Sequence, residues 1–71
     1  MIKVIVEALN DILEFGIKKG DTVEVLKKTA TSVLHQDNGK QFTDALKATK
    51  GIDMSKAIGK YRGAFKETLA K

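Results

Sequence analysis

The chain has no cysteine, no proline and no tryptophan, and aromatic residues make up only 6% of it. Without cysteine there is no disulfide framework, no thiolate zinc site and no thiol nucleophile. A chain of 71 residues buries roughly 60% of its unfolded surface, so its core is thin. Stability must then come from helix packing, and the sequence leads us to expect help from self-association. Absence of proline leaves helices uninterrupted, while six glycines, most of them in short polar stretches, punctuate the chain.

Long apolar runs are also missing. Lys3 and Glu7 interrupt the first run too early for a signal peptide, and nothing approaches the ~18 apolar residues of a membrane span. The expected compartment is cytoplasmic, with no membrane partner. No internal repeat, low-complexity segment or long linker divides the sequence, so residues 1–71 read as a single domain.

The ingredients of catalysis are scarce. His35 is the only imidazole, and beside Gln36, Asp37 and Asn38 it reads as a solvated or helix-capping histidine rather than a ligand. Asp11 and Glu14 are three apart, which is ordinary on a solvated helix face. The glycines stand singly, without a phosphate loop or dinucleotide fingerprint. The expectation is a non-enzyme with no metal and no cofactor.

What is present is helical-looking periodicity. Ile2, Ile5, Val6, Leu9, Ile12, Leu13 and Ile17 recur at spacings of three and four, predicting a first helix that is apolar around much of its girth. The β-branched content of Ile2 to Val6 keeps a short strand open as the alternative there. After Gly16 to Gly20, Asp21 and Glu24 read as a capping box for a second helix with Val23, Leu26, Ala30, Val33 and Leu34 on its apolar face. His35 to Gly39 is the turn that stops it. A short third helix over Lys40–Lys50 carries Phe42, Ala45, Leu46 and Thr49, and Gly51 stands as its C-terminal cap. Asp53 then caps a last helix with Met54, Ile58, Tyr61, Phe65 and Leu69 as its stripe. The fold predicted is all-α, a single-domain bundle of about four helices with the third the shortest.

Charge is unevenly spread. Residues 1–39 carry five lysines against six acids, whereas residues 40–71 carry seven lysines and Arg62 against three acids, leaving −1 and +5. Lys56, Lys60, Arg62 and Lys66 would share one side of the last helix, where nucleic-acid phosphates could be neutralised. The alternative is a solvated helix face rich in lysine, a good helix former. A helix-turn-helix is not supported, because the helix after the Asp37 to Gly39 turn is short and carries no arginine.

Gly59 and Gly63, four apart and following Ser55, would strip bulk from one side of the last helix and allow a close crossing or a self-association seam. The leading functional expectation is therefore an assembly or regulatory module that binds a second copy, with a dimer favoured, or another protein. Ile5, Leu9, Ile12, Leu13, Gly59 and Gly63 are the candidate contacts. The alternative is a basic nucleic-acid-binding, DNA-binding type of regulator using Lys56, Lys60, Arg62 and Lys66.

Overall fold

In the computed structural model, which describes residues 1–29, 32–35 and 39–70, the first apolar run is a β-strand, β1, over Ile2–Ala8. Val4, Val6 and Ala8 are buried, while Lys3, Ile5 and Glu7 point to the opposite face. That alternation is the period of a pleated strand. The same residues also satisfy a spacing of three and four, and the β-branched Ile2, Val4, Ile5 and Val6 decide between the two periods. The predicted first helix is thereby overturned, and residues 2–6 pair as a strand.

The second predicted helix is overturned in the same way. β2 spans Thr22–Lys27, with Val23, Val25 and Lys27 buried and Thr22, Glu24 and Leu26 exposed. Glu24 does not close a capping box; its carboxylate lies 3.4 Å from the Lys3 ammonium across the sheet. Asp21 accepts the Lys18 N–H at 3.0 Å and so caps a turn rather than a helix. Between the strands, Ile12 and Ile17 exchange backbone hydrogen bonds of 2.8 and 3.1 Å around a 3₁₀ turn at Leu13–Phe15, closed by Gly16 at φ 67°. Ala30, Thr31 and the Gln36–Asn38 part of the predicted turn lie outside the described residues, as does Lys71.

The predicted third helix is present as α1, Gly39–Lys50. Phe42, Thr43 and Leu46 turn one side of it into the core. Gly51, at φ 69°, ends it by donating its N–H to the Lys47 carbonyl at 2.9 Å.

The predicted last helix is overturned over most of its length. Asp53 accepts the Ser55 N–H and hydroxyl in a local turn, and helix begins only at Ile58. This short helix, α2, spans Ile58–Tyr61 and runs into a 3₁₀ turn over Arg62–Ala64. The chain then extends as β3, Phe65–Ala70. Glycine in a helix interior costs roughly 0.5–1 kcal/mol relative to alanine, so Gly59 and Gly63 disfavour a long helix here. The alternation of Phe65, Glu67 and Leu69 with Lys66 and Thr68 suits a strand.

The three strands form an antiparallel sheet in the order β2-β1-β3. In register, Val4 lies between Val25 and Leu69, Val6 between Val23 and Glu67, and Ile5 between Glu24 and Thr68. α1 packs chiefly on β2, and its Phe42 meets Phe65 edge to face at 4.9 Å between ring centres. Val33, Met54 and Ile58 complete the core. The architecture is a small three-stranded sheet with two short helices, in place of the all-α helical bundle.

Candidate interaction surfaces

One face of the sheet is covered by α1 and the 32–35 segment; the other bears Lys3, Ile5, Glu7, Thr22, Glu24, Leu26, Lys66 and Thr68. No aromatic residue stands on that open face. Phe42 and Phe65 are spent in the core, while Phe15 and Tyr61 pack at 6.0 Å in a T-shaped pair beyond the sheet.

The fold disperses the residues grouped by sequence spacing. Ile5 is half-buried in the middle of the open face, and Ile12 is in the core. Leu9 follows β1 and donates its N–H to the Ala64 carbonyl at 2.7 Å, whereas Leu13 stands 87% exposed in the 3₁₀ turn. They do not form one stripe, because the helix that would align them is a strand and a loop. Gly59 and Gly63 lie in α2 and the following 3₁₀ turn, and a Cβ on either meets nothing within 4 Å. Within the chain, then, neither glycine admits a close backbone.

The basic group is also rearranged. Lys56 and Lys60 are exposed around α2, with the Lys60 ammonium 5.3 Å from the Tyr61 ring centre. Lys66 is exposed on the open face opposite Glu7. Arg62 points elsewhere: its Nη1 donates to the Leu34 carbonyl at 2.6 Å, and its Nη2 lies only 2.8 Å from where a Cβ on Gly39 would be. The guanidinium thus fastens the 32–35 segment to the turn after α2 and packs against Gly39 at the start of α1.

Two electrostatic relations stand out. The Ser55 hydroxyl holds the Asp53 carboxyl below its ordinary value, helped by the Ser55 N–H and the positive charges of Lys47 and Lys56. The Tyr61 hydroxyl is pushed above its ordinary value by its hydrogen bond to Glu14, with partial desolvation and the Glu14 charge acting the same way.

Two residues that sequence spacing did not single out prove central. Glu67 points to the covered face and accepts the Ser32 hydroxyl at 2.6 Å, the Leu34 N–H at 2.9 Å and the Val33 N–H. Its place between Phe65 and Leu69 in an alternating run was the available signal. Lys27 lies on the same face at the end of β2, only 3% exposed, and makes no hydrogen bond or ion pair with any described residue. No fully buried side-chain nitrogen or oxygen among the described residues lacks a partner, so the Lys27 ammonium keeps a small contact with water while its methylenes are packed.

Both outer strands leave one backbone edge unpaired among the described residues. Ala8 donates its N–H to Asp21 on the β2 side, and Leu9 donates to Ala64 on the β3 side. Alternation along antiparallel strands then directs the free N–H and C=O groups of Thr22, Glu24 and Leu26 outward from β2, and those of Phe65, Glu67 and Leu69 outward from β3. Leu26 and Leu69, 60% and 63% exposed, lie on these two edges.

Among the described residues no cluster of three acidic, histidine or cysteine side chains could hold a metal ion, and no helix is long and apolar enough to cross a membrane. No protein-family model matches this chain, and neither curated proteins nor solved structures gave a significant match.

Proposed function

We propose that this chain is a non-enzymatic interaction module acting through a second copy of itself or another protein. The observation that carries this is the set of leucines left in water, Leu9, Leu13, Leu26 and Leu69, two of them on sheet edges with unpaired backbone groups. Apolar side chains beside free strand edges suit strand addition, in which main-chain hydrogen bonds give affinity and alternate side chains give specificity. The scarcity of nucleophiles and bases in the sequence agrees with binding rather than catalysis. Sedimentation and thermal unfolding from about 10 μM to about 1 mM test the self-association half, because an associating protein unfolds at a midpoint that rises with concentration. One monomeric species with a fixed midpoint would remove the second copy and leave a different protein as the partner in this reading.

A nucleic-acid-binding role is the second reading, and the grouping of Lys47 and Lys56 around Asp53 supports it. Binding of this kind would run through phosphates, since the open sheet face offers no aromatic ring for base stacking. Anisotropy titrations with duplex and single-stranded oligonucleotides at about 50 mM and about 200 mM salt discriminate, because phosphate contacts weaken steeply over that range. Lys56→Glu with Lys60→Glu should abolish any such binding; binding unchanged by both would remove these lysines from it.

A further inference from the structure

The two sheet edges are not equivalent, and their difference selects a partner geometry. Each edge strand carries one charged side chain on the covered face: Lys27 in β2 and Glu67 in β3. An inward-pointing charge normally protects an edge, because an added strand would bury it. At β2 this protection is intact, since the Lys27 ammonium has no described partner and depends on the small contact with water it retains, which an added strand would threaten. At β3 it is relieved, since the Glu67 carboxylate already receives three donors from Ser32, Val33 and Leu34 and needs no water from the edge side. Leu69, 63% exposed on the covered face of that same strand, would gain cover from an added strand.

We propose that the edge of β3 docks a second copy of this chain, β3 against β3 in antiparallel fashion about a two-fold axis, giving a six-stranded sheet that ends on the Lys27-protected β2 edges. This rests on the self-association half of the reading above and names its surface. Charge fixes the register. A two-fold at Glu67 would oppose the two Glu67 carboxylates, and one at Lys66 would oppose the two Lys66 ammonium groups. With the axis at Thr68, Glu67 faces the second copy's Leu69, Lys66 faces the second copy's Ala70, and the two Thr68 side chains face each other on the open side. This is the longest overlap of β3 that opposes no like charges. Glu67 and Leu69, whose backbone groups already point outward, supply the hydrogen bonds, and the two Leu69 side chains become diagonal neighbours. A two-fold contact is closed, so the assembly stops at two.

The native chain has no cysteine, so one introduced thiol reports one contact. Thr68→Cys should form a disulfide-linked dimer at least about tenfold faster than Thr22→Cys on the β2 edge, because the facing pair at the axis has Cα atoms about 4.5 Å apart, within disulfide reach. In sedimentation, the unmodified chain should be a dimer at high concentration. Leu69→Pro removes an outward N–H without touching the bonds to β1, and Leu69→Lys places a charge at the seam with the strand intact; either should yield a folded monomer. A monomer at every concentration overturns the proposal together with self-association. A dimer that survives both Leu69 variants, or that cross-links equally through Thr22→Cys, overturns the β3 seam and leaves self-association standing by another surface.

Discussion

The Tyr61 hydroxyl donates a 2.6 Å hydrogen bond to the Glu14 carboxylate, tying the turn between β1 and β2 to the helix that precedes β3. Phe15, beside Glu14, packs edge to face on the same ring. Tyr61 is the only tyrosine, so its ionisation is read without overlap in ultraviolet absorbance. Its folded value lies above the ordinary 10.0. A group raised in the folded state stabilises fully below its unfolded value, and that contribution disappears as pH rises through the folded one. Glu14→Gln should bring the titration back toward 10.0; an unchanged titration would show that the bond does not persist in solution.

Asp53 behaves with the opposite sign. Its carboxyl sits below the ordinary 3.8 because the Ser55 hydroxyl and N–H bond its ionised form. Its contribution is present above that ordinary value and is lost as pH falls through the lower folded one. Ser55→Ala should raise the Asp53 value toward 3.8 in an NMR titration, while Lys60→Ala should leave it where it is.

Glu67→Ala should cost about 1–3 kcal/mol in urea unfolding, because it leaves the Val33 N–H without its acceptor and the Leu34 N–H with only the longer bond to the Ser32 hydroxyl, in a half-buried place. Glu67→Gln keeps the acceptor oxygen and should cost less. Equal losses would mean that the carboxylate charge, and not the side chain's bulk or a single acceptor oxygen, holds the 32–35 segment.

Arg62→Ala should destabilise by about 1–3 kcal/mol through the Leu34 carbonyl it abandons, whereas Lys60→Ala on the neighbouring turn should fall within about 0.5 kcal/mol. Arg62→Lys should recover only part of the loss, since one ammonium cannot reproduce the planar fork. Full stability in Arg62→Ala would return that guanidinium to the candidates for phosphate contact.

Lys27→Met keeps the packed methylenes and deletes the charge that needs water. The variant should stay folded, and light scattering should register species larger than the native chain as the β2 edge loses its protection. An unchanged scattering profile would mean that something other than Lys27 keeps this edge apart.

How far the fold was legible follows from which period each segment obeys. α1 could be read because Phe42 and Leu46 recur with a helical spacing and Gly51 sits where a left-handed cap is needed. β2 was misread although Val23, Val25 and Lys27 alternate with Thr22, Glu24 and Leu26, because Asp21 and Glu24 mimic a capping box and lysine is rarely counted as an inward residue. In β1 two periods coexist over Ile2–Ala8, and only pairing with strands far along the chain settles between them. The tasks of Glu67 and Arg62 were hidden for a related reason. Both act on the 32–35 segment, and no local pattern links positions that meet only in the folded chain.

The central position of β1 also sets the order in which the molecule can be made. Its partner β2 is close in sequence, but its other neighbour is β3, so that Ile5 finds Thr68 only after nearly the whole intervening chain has been gathered in. A hairpin of β1 and β2 can close early, yet it leaves Lys3, Ile5 and Glu7 with backbone groups waiting for a strand that arrives last. Closing so long a loop carries an entropic barrier that local contacts do not offset. Ribosome-bound chains that have not yet emitted Phe65–Ala70 therefore hold the middle strand half-dressed, and that interval is when a stray β-strand from another polypeptide can take the vacant place.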